Sequence, residues 1–171
     1  MTLEPIHILL VIVIGTGATM VMDAWAMLMK QVFNMTSLDY CFVGRWLQHF
    51  RHGVFRHQNI TSADKQTSEC LLGWLAHYLT GIIFAMALVL VTSGRWLLQP
   101  GISEALLFGL VTVAFPFFIL QPCLGFGIAG SKTPSPVTTR MKSLAAHAAF
   151  GVGLYVCALA LVKLFPGWLV S

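Results

Sequence analysis

The chain has 171 residues, of which 57% are hydrophobic and only 9% are charged. Soluble domains carry about 25% charged residues, so this chain has too few charges to cover a water-facing surface. Lipid must therefore surround most of the protein. The formal net charge of +4 does not indicate a nucleic-acid partner, because the Lys and Arg residues lie between apolar runs and form no basic patch with interleaved aromatics.

Four apolar runs are each long enough to cross the hydrocarbon core, which takes about 20 residues. They predict membrane spans at about residues 6–29, 71–91, 105–128 and 143–164. Backbone polar groups inside a bilayer must be satisfied within their own segment, so the spans must be helices. The predicted fold is an all-α, integral membrane four-helix bundle that forms a single transmembrane domain over residues 1–171.

The first apolar run predicts a retained span rather than a secretory signal, because residues 1–5 contain Glu4 and no Lys or Arg. The loop that follows, residues 30–70, repeats apolar residues at helical spacing on one face: Phe42, Val43, Trp46, Leu47 and Phe50. Arg45 falls on the other face, and Asp39 can cap the start. This pattern predicts an amphipathic helix on the inner membrane surface. A basic cluster follows in the same loop and would meet anionic lipid headgroups, with a metal site as the alternative: His49, Arg51, His52, Arg56 and His57.

Positive charge predicts the orientation of the chain. Eight of the ten Lys and Arg residues lie in or beside the first and third loops: Lys30, Arg45, Arg51, Arg56, Lys65, Lys132, Arg140 and Lys142. The other side carries Arg95 and Lys163. The prediction is a multi-pass protein of a bacterial inner membrane, with loops one and three cytoplasmic and both termini outside.

Small residues allow membrane helices to approach closely. Ala145, Ala149 and Gly153 follow one another at four-residue spacing in the fourth span, which favours a compact bundle and would also suit a homo-oligomer formed through this face. The four cysteines are scattered and contain no C-x-x-C pair. We interpret them as small apolar packing residues rather than as a disulfide scaffold.

Each of the four spans carries a polar side chain, and such groups are costly in a membrane and point to function. Asp23, His77 and His147 lie roughly 7–12 Å inside the predicted cytoplasmic ends, at about 1.5 Å per residue. Gln121 falls near the same level, beside the helix-bending Pro122. We call these four residues (Asp23, His77, Gln121 and His147) the polar layer. They predict an intramembrane site for a small or protonatable ligand.

Several chemistries could use the polar layer. The first hypothesis is a small carrier, channel or accessory protein in which Asp and His take up protons. The alternative is a membrane-embedded redox or enzymatic protein in which His77 and His147 hold a haem or a metal. General-base work by either histidine, with Asp23 as orienter, would make the protein an enzyme. A structural partner without a ligand remains a further alternative, and the sequence does not decide among them.

Strings along nearly the whole chain resemble a bacterial family of four-helix inner-membrane proteins of unknown function. The matching strings are residues 15–19 with 22–23, 43–47, 55–57, 73–78, 121–122 with Gly125 and Gly127, 131–134, and His147 with 150–151. The resemblance implies a bacterial membrane protein and brings no substrate or reaction. Five residues within these strings are secondary candidates for the site: Arg45, Trp46, His57, Trp74 and Tyr78.

Overall fold

The structure is a computed structural model that describes residues 5–165, and within that range every regular element is a helix and no strand is present. In chain order, its α-helices are α1 (Pro5–Phe33), α2 (Tyr40–His49), α3 (Glu69–Val91), α4 (Arg95–Leu98), α5 (Ile102–Val111), α6 (Gln121–Leu124) and α7 (Pro136–Leu164). The all-α prediction is confirmed, and α2 is the helix predicted in the first loop.

Four helical segments of the described chain are long and apolar enough to cross a membrane: Pro5–Phe33, Glu69–Val91, Ile102–Leu124 and Pro136–Leu164. Apolar side chains also line their outward faces. On α3, four of them recur at four-residue spacing and are each more than half exposed: Leu71, Leu75, Leu79 and Ile83. A continuous exposed apolar stripe of this length suits lipid rather than water. The chain is therefore a multi-pass membrane protein, as predicted.

The chain forms two compact units. The described residues of the first unit are 5–35, 78–111 and 146–165, and those of the second unit are 36–77 and 112–145. Each unit has its own buried core, and each is described by itself below. The single transmembrane domain remains a prediction.

In the first unit, α1, α3 and α7 contribute most of the core, with Val11, Leu88 and Leu154 almost fully buried, and residues of α4 and α5 complete it. Glycines allow these helices to touch. A Cβ added to Gly153 would lie 2.7 Å from the Cα of Ala18, so α7 and α1 meet backbone to backbone. Close packing through small residues, predicted for the fourth span, thus occurs within the chain, and the homo-oligomer stays a prediction.

In the second unit, α2 packs against the start of α3. The side chain of Asp39 accepts a hydrogen bond from the Cys41 N–H at 2.9 Å and caps α2, as predicted. A Cβ on Gly44 would overlap the carbonyl oxygen of Glu69, so the two helices touch there. A disulfide joins Cys41 to Cys70 beside this contact. The prediction that all four cysteines are unpaired packing residues is wrong for this pair, because the folded chain brings together two cysteines that are distant in sequence.

The third span is irregular where it enters the second unit. A π-helix (Pro116–Leu120) separates α5 from α6, and α6 ends at Gly125, whose φ of +92° suits glycine. The two prolines explain the departure, because neither can donate a backbone hydrogen bond. Short π-helices inside membrane helices often accompany functional sites. The predicted irregularity of this span is confirmed.

Candidate functional site

The first unit contains the intramembrane carboxylate. Asp23 on α1 is half-buried, and its Oδ2 accepts a hydrogen bond from the hydroxyl of Tyr78 on α3 at 3.0 Å. Asp23 lies ten residues before Phe33, about 15 Å along the helix, and Tyr78 lies nine residues after Glu69, about 14 Å. Both side chains are therefore well inside membrane-spanning helices. A residue of the polar layer and a secondary candidate meet here.

His147, the second residue of the polar layer in this unit, is buried on α7 with 9% of its surface exposed. The backbone around it is in close contact with α5. A Cβ on Gly109 would lie 2.7 Å from the carbonyl oxygen of His147, so only glycine fits there. His147 thus lies where the backbones of α5 and α7 are in close contact.

His77 belongs to the second unit and lies in an aromatic cluster. Its ring stacks on Tyr40 with centroids 3.9 Å apart and an interplanar angle of 21°. Trp74, a secondary candidate, contacts the same tyrosine edge-on at 4.8 Å. Stacking of this kind holds the imidazole at the junction of α2 and α3.

Gln121 follows the π-helix directly and is buried, with 7% of its surface exposed. Its Oε1 atom has no hydrogen-bond partner among the described residues. An unsatisfied buried acceptor costs about 1–3 kcal/mol, so it needs a reason. Gly130 lies close by, since a Cβ there would be 3.6 Å from this oxygen. Gln121 therefore offers a free acceptor beside an irregular helix segment.

The structure divides the polar layer between the two units: Asp23 and His147 belong to the first, and His77 and Gln121 belong to the second. The layer as one site remains a prediction. Among residues 5–165, no group of three or more His, Cys, Asp or Glu side chains is placed to hold a metal ion. The haem or metal alternative at His77 and His147 is not favoured.

Arg45, predicted on the polar face of α2, is instead buried with 3% of its surface exposed. It forms a bidentate pair with Glu69, with its Nε donating to Oε2 at 2.8 Å and its Nη2 donating to Oε1 at 2.7 Å. Its Nη1 donates to the carbonyls of Ile60 and Ala63 at 3.0 and 3.2 Å. The hydrogen bonds that the guanidinium donates to Glu69 raise the pKa of Arg45, so the side chain keeps its positive charge. We call this arrangement the arginine clamp; it fastens loop one to α3.

A chain of hydrogen-bonded side chains crosses the first loop. Arg51 Nη2 donates to Gln66 Oε1 at 3.3 Å, and Gln66 Nε2 also donates to the Asp64 carbonyl at 3.3 Å, which fixes the orientation of the Gln66 amide. Gln66 Nε2 then lies 3.1 Å from His49 Nε2, and His49 Nδ1 lies 2.6 Å from His57 Nε2. We call the side chains of Gln66, His49 and His57 the imidazole chain.

The fixed amide determines the tautomers along the imidazole chain. Because Gln66 Nε2 can only donate, His49 Nε2 must accept, and its Nδ1 then carries the proton. His57 Nε2 accepts that proton's hydrogen bond, so His57 carries its own proton on Nδ1. Burial lowers the pKa of His57, and the nearby His49 and Arg45 lower it further, so the ring stays neutral. The His57 Nδ1 atom is buried and has no hydrogen-bond partner in the described part of the chain.

His57 borders an open cleft of about 480 Å³. We call it the basic cleft, and the lining residues that matter here are Arg56, His57, Pro122, Gly125, Gly127 and Lys132. Its two walls are tied together, because the His57 N–H donates to the carbonyl of Cys123 at 2.8 Å. The two segments also touch at Gly125, because a Cβ there would overlap the carbonyl oxygen of Gln58.

The sequence reasoning found part of the basic cleft. It grouped the histidines and arginines of loop one as a lipid-facing surface and gave His57 as a secondary candidate. The structure selects His49 and His57 from that group and leaves His52 exposed. Trp46, another candidate, supports the same region, because its Nε1 donates to the Phe55 carbonyl at 2.8 Å. Lys132 was not assigned to the site, although it lies in one of the matching strings.

A comparison with protein-family models matches residues 12–161 to a family described as "Protein of unknown function (DUF2938)". Comparison with the curated proteins and with the solved structures finds no match. The matched range covers both segments of the second unit and all four membrane helices except the start of α1 and the end of α7. It agrees with the resemblance to a family of unknown function. The chain therefore belongs to the family described as protein of unknown function (DUF2938).

Proposed function

We propose that this protein is a small carrier, channel or accessory protein that handles protons or a small protonatable ligand at Asp23. One observation carries the proposal: inside two membrane spans, the Tyr78 hydroxyl donates to the Asp23 carboxylate at 3.0 Å. A charged side chain at mid-membrane costs about 2.5–3.5 kcal/mol even on insertion scales, so such residues are kept where they move ions or protons.

The chemistry of the pair supports a proton-handling role. A proton that binds Asp23 removes the charge, and the neutral acid can still hydrogen-bond to the Tyr78 hydroxyl, which both donates and accepts. Asp23 can therefore change its charge without losing its partner. His147, buried in the same unit, is a second titratable group, and His77 and Gln121 are the proposed members on the other spans.

The proposed setting is a bacterial inner membrane, with loops one and three cytoplasmic and both termini outside. The excess of Lys and Arg in those two loops supports this orientation. Membrane lipid is the proposed surrounding partner. A second copy, packed through the face of Ala145 and Ala149, is a further proposed partner.

The proposal is tested with purified protein reconstituted into vesicles that contain a trapped pH indicator dye. A potassium gradient with valinomycin supplies the driving force, and proton entry is followed by the dye. Asp23→Asn keeps the size of the side chain and an acceptor for Tyr78, so it should fold, and it should abolish the flux. Tyr78→Phe should reduce it.

The matched control is Asp64→Asn, which changes an exposed carboxylate of loop one. It should leave proton flux at the wild-type rate. Wild-type flux no faster than that of protein-free vesicles would count against the proposal, and so would equal flux in the Asp23→Asn variant and the wild type. Circular dichroism of each variant checks that the helices are intact.

A further inference from the structure

We infer that the basic cleft is a binding site for a phosphate monoester group, held between Arg56 and Lys132 and hydrogen-bonded by the Nδ1–H of His57. This inference rests on the second unit alone and does not depend on the role proposed for Asp23. Three separate observations support it: the charges that line the cleft, the unpartnered Nδ1 atom of His57 and the volume of the cleft.

Charge identifies the class of ligand. The basic cleft is lined by two cationic side chains, Arg56 and Lys132, and no carboxylate is among its described lining residues. A phosphate monoester carries a charge of about −1.5 to −2 at neutral pH. That charge balances two cationic side chains better than the single negative charge of a ligand carboxylate would. Arg can grip a phosphate with two parallel hydrogen bonds, and Lys adds a point charge.

The imidazole chain supplies a directional donor. Its hydrogen bonds place a proton on His57 Nδ1, and that atom is buried without a partner in the described part of the chain. An N–H donor on a cleft that is also lined by two cationic residues suits an anionic oxygen and does not suit a cation. His57 also lines the basic cleft, so the residue that carries this unpartnered donor lies at the proposed site.

The shape of the basic cleft leaves room for more than an isolated phosphate. Its volume of about 480 Å³ lies within the range of small-molecule sites, about 300–1,000 Å³. Gly127 allows Ser131 and Lys132 to pack closely against the backbone, because a Cβ on Gly127 would come within 2.9 Å of the Lys132 Cγ and would overlap the Ser131 hydroxyl. The phosphate group therefore belongs either to a soluble phosphorylated compound or to a lipid headgroup such as that of phosphatidic acid.

The first experiment measures the binding of inorganic phosphate by calorimetry, with the full chain in nanodiscs of phosphatidylcholine. Charged hydrogen bonds of this kind are worth tenfold to a hundredfold in affinity, so Arg56→Gln and Lys132→Gln should each weaken binding by about that factor. Lys65→Gln, an exposed lysine of loop one outside the cleft, should change affinity less than about twofold.

The second experiment identifies the source of the phosphate. Adding phosphatidic acid to the nanodiscs should block inorganic phosphate if the lipid headgroup is the natural occupant. Unchanged phosphate binding in these nanodiscs would assign the cleft to a soluble phosphorylated compound. Phosphatidic acid bound in native mass spectra should be lost in Lys132→Gln in the first case only.

Nuclear magnetic resonance of ¹⁵N-labelled histidine tests the donor directly. His57 should show the Nδ1–H tautomer, and phosphate should shift its resonance more than that of His49, with the assignment made from His57→Gln. The inference would be overturned by the absence of both phosphate and phosphatidic acid binding. Equal loss of binding in Lys65→Gln and Lys132→Gln, or the opposite tautomer at His57, would overturn it as well.

Discussion

Replacing Arg45 with alanine removes the centre of the arginine clamp. The guanidinium donates to both carboxylate oxygens of Glu69 and to the carbonyls of Ile60 and Ala63. Without it, the buried carboxylate keeps only the backbone N–H of Gln66, at 2.8 Å, among the described donors. Breaking one side of a buried ion pair costs about 3–5 kcal/mol, so the free energy of unfolding should fall by about that amount.

The double substitution Arg45→Met with Glu69→Leu distinguishes two effects on the free energy of unfolding: the loss caused by an unpaired buried charge and the net contribution of the ion pair. Glu69→Gln alone should be about as harmful as Arg45→Ala, because it leaves the guanidinium buried without its counterion. The double variant buries no charge, so it should be more stable than either single variant by about 2 kcal/mol or more.

The measurement is unfolding of the detergent-solubilised protein, followed by tryptophan fluorescence with the disulfide intact. Trp46 reports on this region, because its indole is bonded to the Phe55 carbonyl. Arg140→Ala is the control: this arginine is exposed and makes one hydrogen bond, to the Ala129 carbonyl, so the loss should stay near 0.5–1 kcal/mol. Equal losses in the Arg45 and Arg140 variants would refute the reasoning.

Three further predictions concern the same unit. Reducing the Cys41–Cys70 bond, which spans 29 residues, should lower the free energy of unfolding by about 3–4 kcal/mol, and unchanged denaturation with dithiothreitol would contradict this. Gly44→Ala should lower the melting temperature more than Gly53→Ala, because a methyl group at Gly44 would overlap the facing helix. At Gly53, whose φ is +69°, a methyl group meets no neighbouring atom, and the substitution adds only backbone strain of about 1–2 kcal/mol. Because the pKa of His57 is lowered, the unfolded chain binds more protons below about pH 6.5, so stability should fall on acidification, and less steeply in His57→Gln.

The membrane spans could be predicted because an apolar run of bilayer length is a local property of the chain. The predicted ends of the spans were less accurate where polar residues or the backbone conformation determine where a helix begins or ends. Helix α7 begins at Pro136, seven residues before the predicted start, because proline suits the first helical turn and the polar residues that follow carry no apolar signal. The third span ends at Leu124, since Gly125 takes up a left-handed conformation.

The contacts of the second unit depend on residues that are distant in sequence. The polar face of α2 was predicted from periodicity, but Arg45 is buried because Glu69 supplies a partner 24 residues away. The cysteine pair has the same explanation, because no spacing rule identifies Cys41 and Cys70 as partners. Local pattern cannot anticipate a pairing that exists only once α2 lies on α3.

The candidate sites were predictable to different degrees. Asp23 could be identified because a carboxylate within an apolar run is conspicuous and costly. Its contact with Tyr78, 55 residues away, could not be predicted, because it depends on how α1 and α3 are rotated about their axes. The donor on His57 could not be predicted either, because the position of its proton depends on contacts with both the Gln66 amide and the His49 imidazole. Sequence reasoning reached the chemistry-bearing residue types but not their hydrogen-bond directions.

The Cys41–Cys70 disulfide links the side of the membrane on which the first loop lies to the redox conditions on that side. Such bonds last in oxidising compartments and are rare where glutathione keeps thiols reduced. The positive-inside count assigns the same loop to the reducing side. A disulfide that stays oxidised in living cells would therefore place the first loop on the outer side and reverse the orientation predicted from the positive charges. A cytoplasmic loop would instead make the bridge a bond that opens and closes with the thiol pool.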